Sequence, residues 1–240
     1  MKNSFYIKQT TSTNIFLRDL MNNKSLTEGF VVYTDFQLSG KGQSGNSWES
    51  EPKKNLLFSI LLYPHHIDIE EQFIISQIVS NAIWNVLSDY CKEVKIKWPN
   101  DIYVNDGKIA GILIENSLCG QTINNTMIGI GLNVNQTDFK SDAPNPVSLR
   151  QINKKSFRRK TIMQKIVDNI LTIYNEMDYA QIREDYFNNL YRKDGFYAFR
   201  AGNDVFNAQI KAVLPDGRIY METDDGTTKS FYFKQVEFII

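Results

Sequence analysis

Lys97-Trp98-Pro99-Asn100-Asp101, followed by Gly107-Lys108-Ile109-Ala110-Gly111-Ile112-Leu113-Ile114-Glu115, is the stretch on which the reading of this chain turns. Val94 to Lys97 alternates apolar and polar residues, as a short half-buried strand does. Ile102-Tyr103-Val104 and Ile109 to Ile114 flank Asn105-Asp106-Gly107, and Asp-Gly between two strand patterns signals a hairpin. A three-residue turn pairing Val104 with Lys108 would set Asp101 opposite Gly111. Pro99 fixes its own φ and biases Trp98 to an extended backbone. The polar groups of Asn100 and Asp101 then stand at a strand start, facing a pocket. Ala110 and Gly111 leave room for a ligand beside Lys108. A solvent-facing lysine on a hairpin would account for Lys108 alone, but not for the whole constellation.

Upstream, Thr11 to Asn14 supplies helix N-caps, and Ile15, Phe16, Leu17 and Leu20 predict a helix from about Thr13 to Asn22. Phe30 to Tyr33 and Leu56 to Leu62 read as strands, and Asp68 to Tyr90 as a long amphipathic helix. Downstream, Thr126 to Val134 reads as a strand, Pro144 and Pro146 mark an irregular stretch, and helices are expected over Ile162 to Met177 and near Ile182 to Leu190. Gly129 and Gly131 lie two apart, on one strand face. That spacing suits either a ligand or tight packing beneath a helix. From Phe196 onward, short strand patterns are broken by Gly202-Asn203, Asp216-Gly217 and Asp225-Gly226, which suggests a small antiparallel barrel. The expected organisation is a main domain over residues 1–191 and a β-rich module over 192–240.

Gly40-Lys41-Gly42-Gln43-Ser44-Gly45-Asn46-Ser47-Trp48 contains G-x-G-x-x-G after a strand. A dinucleotide fingerprint needs a helix opening at the third glycine, and the residues up to Pro52 do not open one. A phosphate-binding P-loop fails too, because Asn46 stands where its lysine belongs. What remains is a glycine-rich loop whose amides can converge on an anion and whose Trp48 can stack on a base. Taken alone, it reads slightly better as a mobile linker between strands.

Composition narrows the classes. Lys plus Arg and Asp plus Glu number 27 each, so no basic excess points to nucleic acid. The cluster Lys154, Lys155, Arg158, Arg159 and Lys160 reads as a solvated loop and helix start. Two cysteines, Cys91 and Cys119, make neither a disulfide framework nor a metal motif. The adjacent His65 and His66 suit a surface turn rather than zinc. The first residues lack a signal-peptide core and no apolar run spans a bilayer, so a cytoplasmic protein with no membrane partner and no all-protein metal site is expected.

In order and in most spacings, Ser12-Thr13-Asn14, Gln37, the Gly40 to Trp48 loop, Lys97 to Asp101, Lys108 to Glu115 and Gly129 to Asn133 together resemble biotin protein ligases. The resemblance covers most of the chain. It implies an α+β fold: a mixed sheet flanked by helices, of the class II synthetase-like biotin/lipoate ligase kind, with a small SH3-like C-terminal β-barrel. It implies ATP-dependent formation of biotinyl-5′-AMP, then transfer of biotin to a lysine of a biotin carboxyl carrier protein or domain. Lys108 matches the family's essential lysine. Ser12, Thr13, Asn14, Gln37, Gly40, Lys41, Gly42, Gln43, Lys108 and Gly111 would bind biotin. Lys41, Asn46, Trp48, Asn100, Asp101, Lys108 and Asn133 would bind ATP, which brings Mg2+ with it.

The chain departs from that family in its loop, where many members carry arginines in a pattern close to G-R-G-R-x-G-R-x-W. Lys41 keeps a charge without the planar fork, and Gln43 and Asn46 lose theirs. A looser hold on the adenylate is expected. Ser12 comes so early that no N-terminal DNA-binding domain, and hence no DNA partner, is expected; a homodimer is compatible with the family. A lipoate or octanoate ligase of the same fold, and a non-catalytic binding module, are the competing readings. The long Trp98 to Lys108 segment favours biotin over lipoate, and the presence of Lys108 argues against a module without catalysis.

Overall fold

The computed structural model describes residues 3–43, 45–140 and 145–240. Ser44 of the glycine loop and Pro144 of the irregular stretch lie outside the described residues. The elements begin with β1 (Ser4–Ile7), α1 (Thr13–Asn23), β2 (Val31–Thr34), β3 (Leu56–Leu62), α2 (Phe73–Ser88), β4 (Val94–Lys97), β5 (Asp101–Val104), β6 (Gly107–Cys119) and β7 (Thr122–Leu132). Then come α3 (Leu149–Asn153), α4 (Arg159–Glu176), α5 (Tyr179–Asn188), β8 (Tyr197–Ala201), β9 (Asp204–Val213), β10 (Ile219–Thr223), β11 (Thr228–Phe231) and β12 (Glu237–Phe238).

Seven strands form a mixed sheet in the order β1-β2-β3-β7-β6-β5-β4, with β1 parallel to β2 and the other pairs antiparallel. Every residue of β3 is buried, because both faces of the sheet are covered there. On one face Leu56, Phe58, Ile60, Ile112, Ile128, Ile130 and Leu132 join the apolar side of α2 and α4 in the main core. On the other, Val32, Leu61 and Met127 pack against Leu17 of α1. Alternation along each strand then fixes which residues remain for a site. Across the second face run Lys97, Asp101, Gly111, Gly131 and Leu57 in one hydrogen-bonded row.

Lys108 reaches that face through an irregularity. Tyr103 pairs with Lys108, but Ile102 pairs with Ala110, so Ile109 is an extra residue in β6. By simple alternation Lys108 would share the core-facing side of Ala110 and Ile112. The bulge shifts the phase by one residue and turns Lys108 to the side of Asp101, while Ile109 is fully buried in the core. The hairpin turn also differs from the expected one. It has two central residues, Asn105 and Asp106, and Val104 pairs with Gly107. Asn105 accepts the left-handed backbone (φ 51°) that such a turn asks for. The shorter turn and the bulge each displace the register by one residue in opposite senses, so Asp101 still faces Gly111 as expected.

The C-terminal strands form a five-stranded antiparallel sheet, β11-β10-β9-β8-β12. The expected barrel is therefore an open sheet, without hydrogen-bonded pairing of β11 to β12 among the described residues. Its Phe199, Ile210, Ile219 and Met221 belong to the same apolar cluster as the main sheet. Trp98 joins the two sheets: it is 4% exposed, its Nε1 donates to Gly217 O at 2.9 Å, and its ring meets Phe233 edge-on. The basic cluster needs a correction. Arg159 opens α4 but is not solvated; its guanidinium donates to Asp35 and to Asn55 O, tying α4 to the strand ends. His65 and His66 sit exposed in a turn, as expected. Among the described residues no helix is long and apolar enough to cross a membrane.

Trp98→Ala removes both the ring contact and the indole hydrogen bond that couple the sheets. Denaturant unfolding of this variant should lose about 3–5 kcal/mol, the usual cost of truncating a buried tryptophan. A loss below about 1 kcal/mol would mean that the sheets are joined elsewhere.

Candidate active site

A cavity of about 410 Å3 lies on the second face of the main sheet. Its floor is the row of glycines and charged residues, one end is the N-terminus of α1, and the glycine loop covers it. Phe233 and Glu237, from the C-terminal part of the chain, complete the wall. A wider cleft of about 710 Å3 near the start of α4 is the weaker candidate, because its central cation, Arg159, is already engaged by Asp35.

At the charged end, Lys108 Nζ lies 2.7 Å from Asp101 Oδ2, both side chains mostly buried. Lys97 stands beside Asp101 across β4 and β5, with its ammonium over the rings of Tyr103 and Phe238. Burial pulls the Lys97 pKa below its ordinary value, and the Asp101 carboxylate opposes that shift. The Tyr103 hydroxyl is buried without a hydrogen-bond partner, and burial raises its pKa. With Lys41, the cavity lining carries three cations against the carboxylates of Asp101 and Glu237, which leaves a positive balance, as a site for anionic groups requires.

The glycine loop closes on itself through Gly42 N to Asn46 O (2.7 Å) and Trp48 N to Gly40 O (2.9 Å). This directs the Trp48 indole onto the floor. A Cβ on Gly131 would come within 2.4 Å of that ring, and one on Gly111 within 2.9 Å. Gly129 leaves space for the Asn14 side chain instead. So Gly129 gives clearance beneath a helix, one of the two purposes the sequence left open, while the space at Gly131 is taken by the Trp48 ring of the chain itself. Lys108 Nζ lies 5.7 Å from the Trp48 ring centre. The Trp48 Nε1 and Gln43 Oε1 atoms are buried without partners. Buried polar atoms are normally satisfied, so orphans gathered at one cavity point to a ligand.

At the opposite end Ser12, Thr13 and Asn14 are nearly fully buried. Gln37 Oε1 accepts from Thr13 N at 2.8 Å. Ser59, on the floor strand β3, lies within hydrogen-bond distance of both Thr13 and Asn14.

Of the residues expected from sequence, Ser12, Thr13, Asn14, Gln37, Lys41, Gly42, Gln43, Asn46, Trp48, Asn100, Asp101, Lys108 and Gly111 all line this cavity. Gly40 and Asn133 do not. Gly40 supports the loop from behind, and Asn133 is buried with its Nδ2 near Lys108 O (3.5 Å). Asn100 reaches the cavity, but its amide donates to Ile112 O and clamps the floor strands. Sequence reasoning missed Lys97 and Tyr103 as site residues, although strand alternation places both on the cavity face. Phe233 and Glu237 left no local signal, since they are far along the sequence from the other lining residues.

The fold and cavity define an α+β protein with a cavity on one face of a mixed sheet, between a polar helix end and a mostly buried lysine. The family model for the biotin/lipoate A/B protein ligase family matches residues 6–133, and the chain belongs to that family. It is 38% identical over 120 residues to biotin–protein ligase 1, chloroplastic, of Arabidopsis thaliana, covering 47% of this chain and 32% of that one. It is 26% identical over 233 residues to the bifunctional ligase/repressor BirA of Bacillus subtilis, covering 92% of this chain and 70% of that one. Among solved structures, the biotin protein ligase of Aquifex aeolicus in complex with biotin and ATP superposes with a TM-score of 0.80 at 22% identity, covering 99% of this chain and 98% of that one. That likeness establishes the fold.

Gly131→Ala must displace the Trp48 ring. In an NMR spectrum the Trp48 indole N–H should shift, while those of Trp84 and Trp98, both hydrogen-bonded to carbonyls, stay in place. An unmoved Trp48 signal would show that the ring does not rest on the floor glycine.

Proposed function

We propose that this protein is a biotin protein ligase that activates biotin with ATP and transfers it to a lysine of a biotin carboxyl carrier protein or domain. The observation that carries the reading is a single cavity with a polar, hydrogen-bonding end at Ser12, Thr13 and Gln37 and a mostly buried Lys108–Asp101 pair at the other. A biotin molecule has the same polarity: a ureido ring that needs donors and acceptors, an apolar tail, and a carboxylate. Family membership and the names of the relatives support this choice of ligand.

In the first step a biotin carboxylate oxygen attacks the α-phosphorus of ATP, a new P–O bond forms, and pyrophosphate departs. Two anions must approach each other and charge accumulates at the α-phosphate. The Lys108 ammonium lies where it lowers that cost, and Asp101 holds it in place. Lys97 adds a second positive charge beside Asp101. Trp48 offers its face to the adenine, and the loop, with Lys41, Gly42 and Gln43, covers the mixed anhydride from water. In the second step the neutral amine of the acceptor lysine attacks the acyl carbon and AMP leaves with the bridging oxygen. The reacting groups supply both nucleophiles, so no side chain has to act as one. No cluster of three His, Cys, Asp or Glu side chains fit for a metal occurs among the described residues, and Mg2+ enters with ATP as part of that substrate. The module over residues 192–240 serves as a wall of the nucleotide end through Phe233 and Glu237.

ATP–pyrophosphate exchange should require biotin and fall at least about 100-fold in Lys108→Ala, as expected for removal of a charge that stabilises the transition state. Exchange that requires lipoate or octanoate would reassign the ligand. No exchange with any acid, in folded protein with magnesium, would point to a binding module.

A further inference from the structure

Glu115 is not among the residues assigned to the site above, yet it is bonded to it through an unbroken series of side chains. Arg18 NH2 lies 3.1 Å from Glu115 Oε1, and Asn14 Nδ2 donates to Glu115 Oε2 at 2.7 Å. Ser59 Oγ lies 2.6 Å from Asn14 Oδ1 and 2.7 Å from Thr13 Oγ1. Thr13, Asn14 and Ser59 are at most 3% exposed, so each of their polar groups depends on these partners.

Counting protons gives the series a direction. A carboxylate held by a guanidinium can only accept, so Asn14 must turn its amide nitrogen towards Glu115. Its oxygen then faces Ser59, and that contact consumes the single Ser59 hydroxyl proton. The Ser59–Thr13 contact therefore needs the Thr13 proton. Thr13 Oγ1 and Gln37 Oε1, 3.1 Å apart, share no proton in this arrangement, and Gln37 Oε1 is held by the Thr13 backbone N–H instead. The Thr13 hydroxyl thus turns lone pairs alone towards the cavity.

We propose that Glu115 is a positioning residue that sets ligand specificity: through Asn14 and Ser59 it makes Thr13 an obligate acceptor, so that the site selects a ligand head group carrying a ring N–H. The inference rests on the biotin reading above and adds to it the residue that orients the recognising group. Neutralising the carboxylate without changing its shape reverses the series. In Glu115→Gln, Arg18 claims the new amide oxygen, the new NH2 faces Asn14, and the Asn14 amide turns over. Ser59 then donates to Thr13, and Thr13 becomes a donor.

The test compares biotin with its two cyclic carbamate analogues, each with one ring N–H replaced by oxygen, by calorimetric titration of wild type, Glu115→Gln and Glu115→Asp. Wild type should separate biotin from one carbamate by about tenfold or more, the worth of one buried hydrogen bond with its unpaired acceptor. Glu115→Gln should close that gap and raise the biotin KM in pyrophosphate exchange while leaving kcat unchanged. Glu115→Asp, which keeps an acceptor, should retain the gap. A gap that persists in Glu115→Gln, or a uniform weakening of all three ligands, overturns the proposal. Wild type that binds none of the three overturns the biotin reading itself, and the proposal with it.

Discussion

The site depends on one extra residue in a strand. Lys108 is useful only on the face of the sheet that also carries Asp101, Gly111 and Gly131, and strict alternation along β6 would put it on the other face, beside Ala110 in the core. Burying an ammonium among Ile102, Val104 and Ile112 would be prohibitive. The bulge at Ile109 removes the conflict by giving the core an isoleucine and the cavity a lysine from adjacent positions. The hydrophobic demand of the core and the electrostatic demand of the site are met by the same local distortion.

Around that point the sheet divides its labour by side. One face, packed against α2 and α4, is continuous hydrocarbon and supplies the stability. The other is interrupted by Ser59, Gly129 and Gly131, which give up apolar burial in exchange for a polar anchor and room for Asn14 and Trp48. The buried hydrogen bonds at the polar end form one connected series through Ser59, so the direction of each depends on its neighbours. The charged end is softer. Its ions are closely paired, but Tyr103 and Trp48 keep polar atoms without partners, which is consistent with a surface shaped for a ligand.

Much of this was legible in the sequence because it is local. The Lys97 to Glu115 segment announces its hairpin through alternation and turn residues, and the Asp101–Gly111 pairing follows from them. That pairing was anticipated through the wrong turn: the real turn is shorter and the bulge restores the register, an exchange that no hydropathy pattern reveals. The glycine loop was correctly denied a following helix, yet the destination of Trp48 depends on contacts with β6 and β7 that only the folded sheet creates. Arg159 looked like one more surface cation and proved to be a tie between α4 and Asp35, because an ion pair over that separation leaves no periodic trace. The C-terminal turns were visible, whereas the insertion of Phe233 and Glu237 into the cavity wall was not.

The central claim, that a ligand carboxylate beside Lys108 is activated by direct attack on a nucleotide α-phosphate, is most directly tested by following its oxygen. Biotin labelled with 18O in both carboxylate positions would be turned over with ATP and the carrier protein, and the released AMP analysed by mass spectrometry. The account predicts one 18O in each AMP formed, because the bridging oxygen of the mixed anhydride leaves with the phosphate. AMP free of label, formed in step with biotinylation, would contradict it.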